Sequence, residues 1–266
     1  MKLDAGKKPR KAAAQTTAPT YDKGQERINL LEKHGNTMVL LTIASVIVST
    51  LVGVGFLSPL FHTAAVFPFF YSAMKRRDHR WGVILVFRWA IALFVTLVVV
   101  GVFVPGRVAS SLPLAKDAVI TIDAWVQDSA TGPPADLSYL LWGMVAFLVG
   151  SVVSGGLLGF IVGAFAIGGA AYGALHIFRH GLNVLQIALL AVPLWQLSLF
   201  LAAGFLLVPT SQLVFDRFFN VEKDPEDWPL LRNCMYIGAG FFVLSIIFRY
   251  AISGPWRSLL ERWTVL

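Results

Sequence analysis

Long apolar runs dominate this chain and restrict the folds that it can adopt. One run covers residues 37–74 and another covers residues 139–175. About 20 apolar residues suffice for a helix to cross the hydrocarbon core of a bilayer, whereas a surface helix of a soluble protein has one apolar and one polar face. Charged residues make up 14% of the chain, well below the roughly 25% of soluble domains. We therefore predict an all-α fold, a polytopic integral membrane helix bundle.

Polar breaks and helix-starting residues divide these runs into spans. Ser58 and Pro59 interrupt the first run, and proline is favoured in the first turn of a new helix. The run at 139–175 exceeds one straight crossing, so it forms either one long span with an interfacial segment or two short spans folded at a glycine. The first alternative gives six spans and the second gives seven. The six favoured spans lie at about 37–57, 59–74, 81–104, 139–175, 182–208 and 233–252.

Basic residues orient the predicted bundle. Eight Lys or Arg lie in residues 1–36, which contain no apolar segment typical of a signal peptide, and four more lie in residues 75–80. Because cytoplasmic segments of membrane proteins are enriched in Lys and Arg, we predict a cytoplasmic N-terminus in the cell (inner or cytoplasmic) membrane. Six spans are preferred because they leave the acidic segment 209–232 outside and the Arg-bearing segment 253–266 in the cytoplasm.

The predicted chain has three parts. Residues 1–36 mix Lys, Ala, Thr, Pro and Gln without periodicity, which is typical of a disordered tail, although residues 25–34 could form a short interfacial helix. Residues 37–252 form the transmembrane helical domain. Residues 253–266 form a cytoplasmic C-terminal tail.

Small residues form the strongest local pattern. Ser151, Gly155, Gly159 and Gly163 recur at intervals of four, so on one helix they would share a face. Such small-residue stripes let neighbouring helix backbones approach closely within a membrane. We predict helix packing inside the chain, with a homodimer seam, a subunit contact or a flexible break along a substrate path as alternatives.

Four basic residues are candidates for ligand binding: Arg88, His176, Arg179 and His180. Arg88 lies within the third span, where it either extends to the near interface or faces a polar interior and contacts an anionic group. His176 and His180 would share a helix face, and two histidines can begin a metal site. No carboxylate or thiol accompanies them in that segment, and Arg179 lies between them. We therefore predict neither a metal site nor a cofactor.

Ser154 and Gly155, with histidines downstream, resemble the serine motif of rhomboid proteases, which implies an intramembrane serine protease. The chain departs from the GxSG pattern because Val152 stands where its first glycine belongs. An activated serine also needs a base within hydrogen-bonding reach, and the spacing of His176 and His180 positions none. We assign no catalytic residue.

The remaining features lead to a functional hypothesis. The sequence contains no P-loop, dinucleotide fingerprint or HExxH motif, and its basic residues adjoin apolar runs and do not alternate with aromatic residues on a soluble domain, so no nucleic-acid partner is predicted. We expect a non-catalytic permease-like or accessory subunit of a transport or membrane complex, in contact with lipid and with other membrane subunits or a second copy. The alternatives are a membrane scaffold or assembly factor and, third, an intramembrane enzyme.

Overall fold

The computed structural model describes residues 23–112, 115–127, 137–178, 192–218 and 227–263. Within these ranges every regular element is a helix, which agrees with the predicted all-α fold. The helices are α1 (Lys23–Val52), α2 (Ser58–Lys75), α3 (His79–Phe103), α4 (Pro105–Ser111), α5 (Ala115–Gln127), α6 (Leu137–Ser154), α7 (Leu157–Phe178), α8 (Leu194–Phe218) and α9 (Asp227–Trp263), with a short 3-10 turn at Gly55–Leu57.

Five of the helices contain a segment that is long and apolar enough to cross a membrane. These segments are Glu32–Val52, His79–Phe103, Leu157–Phe178, Leu194–Phe218 and Asp227–Arg262. Many large apolar side chains point outward, for example Phe103, of which 78% is exposed. An outward apolar surface of this extent is typical of helices that face lipid. The prediction of a helical membrane bundle is therefore supported, although length and composition do not establish the number of spans.

A glycine pair divides the long run at 139–175 into α6 and α7. Gly155 has a φ of 61° and Gly156 a φ of 98°, backbone conformations that glycine adopts without a Cβ clash. The backbone N–H of Gly156 donates to the carbonyl of Ser151 over 2.9 Å and closes the end of α6. The run therefore forms two helices that meet at a glycine pair, and a single straight helix is excluded.

The bundle has two ends, which we name after residues that lie there. At the Arg77 end, the α2–α3 turn meets the C-terminus of α8 and the N-terminus of α9, because Arg77 contacts Asp216 and Asp227. At the Trp125 end, α5 packs on the N-terminal part of α8 and the C-terminal part of α9, because Trp125 contacts Trp195 and Trp256. Among the described helices, α1, α2, α3, α6, α7, α8 and α9 run between the two ends, while α4 and α5 lie at the Trp125 end.

Aromatic rings fill the centre of the bundle where α2, α3 and α7 meet. Phe160 of α7 packs edge-on against Phe70 of α2 at 4.9 Å and against Trp89 of α3 at 5.1 Å, measured between ring centroids. Each of the three side chains is at most 2% exposed. Edge-to-face pairs of this kind add to the packing energy of the buried rings. The central contact therefore links the first three helices to the second half of the chain.

Helices also occupy segments that lie between or after the predicted spans. The segment at 105–138 contains α4 and α5, and α9 extends through most of the predicted C-terminal tail at 253–266. The helix that begins the chain runs unbroken from Lys23 into the first apolar segment, so the predicted interfacial helix at 25–34 is the first part of α1. Residues 1–22 of the predicted tail lie outside the described residues.

Helix α8 continues beyond the end of the span expected at 182–208. That span is described only from residue 192, and its helix passes through Pro209 to Phe218. Proline removes the helical hydrogen bond to the carbonyl four residues earlier, here that of Phe205, and the hydroxyls of Thr210 and Ser211 bond to the next two carbonyls, those of Leu206 and Leu207. Pro209 is buried in the bundle, where packing against neighbouring helices helps a membrane helix to tolerate proline.

Candidate functional site

A polar network joins the α2–α3 hairpin to the α8–α9 hairpin at the Arg77 end. The guanidinium of Arg77 donates from Nη1 to Oδ2 of Asp227 over 2.9 Å and from Nη2 to Oδ1 of Asp216 over 3.0 Å. The Arg77 side chain is only 15% exposed and the two carboxylates are 23% and 22% exposed. One arginine thus bridges two partly buried carboxylates that come from different helices.

Two further side chains extend this network into the bundle. Gln212 of α8 donates from Nε2 to Oδ1 of Asp216 over 2.6 Å, and its Oε1 lies 3.0 Å from Nε2 of His79. The other ring nitrogen of His79 lies 3.5 Å from Oδ1 of Asp227. Only the first of these two His79 contacts is a hydrogen bond, because Nδ1 of His79 is buried and has no hydrogen-bond partner among the described residues. We call Arg77, His79, Gln212, Asp216 and Asp227 the Arg77 network.

The backbone of Arg77 is also exceptional. Arg77 has a φ of 57°, and it is the one non-glycine residue with positive φ that is found among the described residues. This conformation costs a residue with a side chain about 1–3 kcal/mol, and it persists only where surrounding contacts outweigh the cost. The neighbouring residue Asp78 helps to fix the turn because its carboxylate accepts a hydrogen bond from the backbone N–H of Trp81. The turn is thus held by contacts on both sides.

The Arg77 network contradicts the six-span arrangement. That arrangement places the acidic segment 209–232 on the opposite side of the membrane from the basic block at 75–80. Asp216 and Asp227 belong to this acidic segment, and both lie within 3.0 Å of Arg77, which belongs to the basic block. Side chains in such contact lie on one side of any membrane. The expected separation of the acidic segment from the basic block therefore disagrees with these contacts.

Arg88 lies outside the polar interior. Its side chain is exposed on α3, and the guanidinium lies over the ring of Trp81 at 5.5 Å from the ring centroid. Gly35 of α1 lies against both groups, since a Cβ added there would be 2.6 Å from Nη1 of Arg88. Arg88 therefore extends along the outside of α3 towards the start of that helix and does not enter the Arg77 network.

The predicted small-residue stripe does not lie on one helix. Ser151 is in α6, Gly155 is in the turn, and Gly159 and Gly163 are in α7. A Cβ added at Gly159 would overlap Oγ of Ser151 and would lie 2.6 Å from Leu207 of α8, while one at Gly163 would contact Trp89 at 3.6 Å. The small residues therefore make close contacts between helices of the same chain. The spacing alone did not show that these residues lie on two helices of a hairpin.

The remaining predicted residues lie at the Trp125 end or outside the described ranges. His176 is near the end of α7, where its Nε2 is 2.8 Å from Oδ1 of Asp123 in α5. Arg179 and His180 fall outside the described residues, so their predicted roles are not tested. The described residues contain no group of three or more His, Cys, Asp or Glu side chains placed to hold a metal ion.

The serine of the rhomboid-like motif has a structural role. Ser154 ends α6, and its hydroxyl donates to the carbonyl of Gly150 over 2.6 Å and accepts from the backbone N–H of Leu158 over 2.8 Å. His176 lies at the far end of α7, a helix of 22 residues and about 33 Å in length. The hydroxyl and this imidazole therefore lie at opposite ends of a helix, far beyond the reach needed for base activation.

A second buried polar group lies between α1 and α2. The His62 side chain is 1% exposed, and its Nδ1 lies 3.0 Å from Oγ of Ser45. The single hydroxyl proton of Ser45 points to the carbonyl of Thr42 over 2.7 Å, so Ser45 accepts and Nδ1 of His62 carries the donated proton. Nε2 is then an unprotonated acceptor in the neutral ring, and it is buried with no hydrogen-bond partner in the described part of the chain.

Sequence reasoning missed most of the polar network. The acidic segment 209–232 was expected on the opposite side of the membrane from the basic block, and neither His79 nor Gln212 was a candidate residue. One usable signal was present, because Gln212 and Asp216 are spaced at i and i+4, a spacing that brings side chains together on a helix. The signal requires that the helix continue past Pro209, which the hydropathy pattern does not indicate.

Comparisons with known protein families, with curated proteins and with solved structures find no match for this chain.

Proposed function

We propose that the chain is a non-catalytic, permease-like subunit of a transport or membrane complex, in which the Arg77 network is a latch between two helical hairpins. The observation that carries this proposal is the Arg77 contact with Asp216 and Asp227. Ion pairs at the interface between moving elements are a recurrent means of holding one conformation, and their exchange accompanies rigid-body transitions.

Two properties of the latch support a switching role over a purely structural one. The guanidinium bonds to carboxylates near the end of α8 and at the start of α9, so it can be released without breaking a helix. Arg77 also has a strained backbone, with a φ of 57°, and strain of this kind concentrates at switch regions and ligand clamps. A static packing contact gains nothing from such strain, whereas a latch with two states can release it.

We further propose that all seven helices between the two ends cross the membrane, with the N-terminus cytoplasmic and the end of α9 on the opposite side. The seven comprise the five segments named above together with α2 and α6, each of which has 18 residues. At 1.5 Å per residue, 18 residues extend over about 27 Å, close to the thickness of the hydrocarbon core. Seven crossings also keep the basic block at 75–80 and the acidic segment on one side, and the cell membrane is the proposed location.

The latch proposal is tested by locking the network chemically. We would replace Arg77 and Asp227 by Cys in a chain that also carries Cys234→Ala, reconstitute it in liposomes, and apply a reversible bis-thiosulfonate cross-linker. Uptake from a mixed solute extract, measured by mass spectrometry against protein-free liposomes, should be present in the uncross-linked variant. It should disappear on cross-linking and return on reduction. Unchanged uptake in the cross-linked protein would reject the latch.

A scaffold or assembly factor is the second candidate, and α9 favours it. This helix of 37 residues packs mainly on α8, and the exposed fractions of Tyr236 and Tyr250 are 69% and 65%. A membrane helix with one main neighbour offers surface for another membrane protein. Stoichiometric co-purification of a partner that is lost in a Gly240→Leu variant, together with no solute uptake, would favour the scaffold over the permease.

A further inference from the structure

Arg88 presents five N–H donors on the outer surface of a membrane-type helix. The helix is α3, which is long and apolar enough to cross a membrane over His79–Phe103. The Arg88 side chain is exposed, and it makes no hydrogen bond or ion pair with any residue that the structure describes. It lies instead over the face of the Trp81 ring. Charged donors in contact with lipid require an acceptor from outside the protein.

The position of the guanidinium is fixed by two neighbouring residues. Trp81 lies seven residues before Arg88, about 10 Å along the helix axis, so the side chain extends back towards the start of α3. Gly35 of α1 leaves the space in which both groups lie, because a Cβ there would be 2.6 Å from Nη1 and 3.0 Å from the Trp81 ring. The ring holds the cation in place and, like other interfacial tryptophans, marks the headgroup level.

The guanidinium of Arg88 indicates which chemical group binds at this position. A guanidinium binds phosphate oxygens through two parallel N–H donors, and its planar geometry suits this contact better than an ammonium group does. Lys33 of α1 is exposed near the same end of the groove, which adds positive charge. The acceptor present at the headgroup level of a bilayer is the phosphodiester of a phospholipid.

We propose that Arg88, Trp81 and Gly35 form a binding site for the phosphodiester group of a phospholipid, in the groove between α1 and α3. The acyl chains of this lipid lie along the exposed apolar residues of the two helices, among them Leu40 and Ile84, which are 67% and 43% exposed. The site does not depend on the latch or on solute transport. One phospholipid would thus occupy a defined position, whereas lipid elsewhere only surrounds the apolar surface of the bundle.

The site can be tested by native mass spectrometry, with phosphatidylglycerol as the probe. The full chain is delipidated in mild detergent at 0.15 M salt before the lipid is added. We expect one lipid to bind more tightly than the rest. Arg88→Gln should weaken this first binding event about tenfold, the loss expected for hydrogen bonds to a charged partner. Arg80→Gln removes the same charge from the same end and should change the affinity less than twofold, because salt screens exposed charges. Equal effects of the two variants would overturn the proposal.

A second variant keeps the charge and removes only the geometry. Gly35→Ala places a Cβ 2.6 Å from Nη1 and should push the guanidinium off the Trp81 ring, so it should also weaken the first binding event several-fold. This variant decides the question if Arg88→Gln lowers the yield of folded protein, and an unchanged affinity in it would contradict the proposal. Diacylglycerol, which lacks phosphate, should not compete. Displacement of the lipid by millimolar inorganic phosphate would instead identify a site for soluble phosphate and overturn the lipid assignment.

Discussion

Arg77 combines an unfavourable backbone conformation with favourable side-chain contacts, and the balance is set by residues distant in sequence. Its partners Asp216 and Asp227 are separated from it by 139 and 150 residues. A partly buried guanidinium that loses its carboxylates is costly, and so are carboxylates that lose their guanidinium. The network therefore stabilises one arrangement of the two hairpins more than any pairwise contact of exposed groups would.

Replacement of Arg77 tests this balance directly. We expect Arg77→Gln to lower the free energy of unfolding by about 2 kcal/mol, because two partly buried carboxylates lose their counter-charge. A double-mutant cycle with Asp227→Asn should give a coupling energy of about 1–2 kcal/mol, measured by thermal unfolding in detergent. Arg76→Gln, which removes an exposed charge from the adjacent residue, should change stability by less than about 0.5 kcal/mol. Additive effects in the cycle would show that Arg77 and Asp227 do not interact in solution.

A second prediction for single residues concerns the hydrogen bond of the buried His62. Ser45→Ala removes the acceptor of the His62 Nδ1 proton, and we expect a loss of about 1 kcal/mol, as for other hydrogen bonds between membrane helices. Ser49→Ala is the matched control, because its hydroxyl donates only to the carbonyl of Val46 on the same helix, and it should be near neutral. Equal unfolding temperatures for the two variants would argue against the contact between α1 and α2.

The turn between α6 and α7 determines which residues of the glycine-rich segment contact one another. Without the positive φ values of Gly155 and Gly156, residues 137–178 would form one helix too long for a single straight crossing. The turn folds them into a pair and brings Gly159 against Ser151. A spacing of four residues cannot distinguish one helix face from two faces that meet across a hairpin, since both use small residues at the contact.

Alanine substitutions along this segment separate turn glycines from packing glycines. Gly156→Ala should lower stability by about 1–3 kcal/mol, because its φ of 98° disfavours any side chain and the new Cβ would be 2.6 Å from Oγ of Ser211. Gly169→Ala is the control, since that glycine lies within α7 with open space around it, and it should be neutral or stabilising by up to about 1 kcal/mol. Comparable losses at the two positions would contradict the turn.

Over the whole molecule, contacts between distant residues arrange the helices, and hydropathy alone does not. The Arg77 end collects the basic block and the acidic carboxylates, and the Trp125 end collects Trp125, Trp195 and Trp256, with the first and last of these rings stacked at 5.5 Å. The C-terminal part of α9 thus packs at the end opposite to the Arg77 network. The seven-span proposal places these two ends of the bundle on opposite sides of the membrane.

The accessibility of single cysteines to a thiol reagent tests on which side of the membrane each end lies. In a Cys234→Ala background, Glu261→Cys should react with a membrane-impermeant thiol reagent in intact cells, and Phe218→Cys should react only after the membrane is permeabilised. Both positions are exposed, so the difference reports the side of the membrane and not burial. The reverse pattern of labelling is what a six-span arrangement with a cytoplasmic C-terminus requires.

Composition and run length alone were enough to predict a helical membrane bundle, because a bilayer demands long apolar helices and excludes most other folds. They also marked the approximate positions of α2 and α3. The tertiary structure decided where the 139–175 run folds, how far α8 and α9 extend, and which carboxylates Arg77 binds. The physical reason is that hydropathy measures only each segment's preference for lipid over water. Helix pairing depends on contacts between residues more than 100 positions apart, such as Arg77 and Asp216.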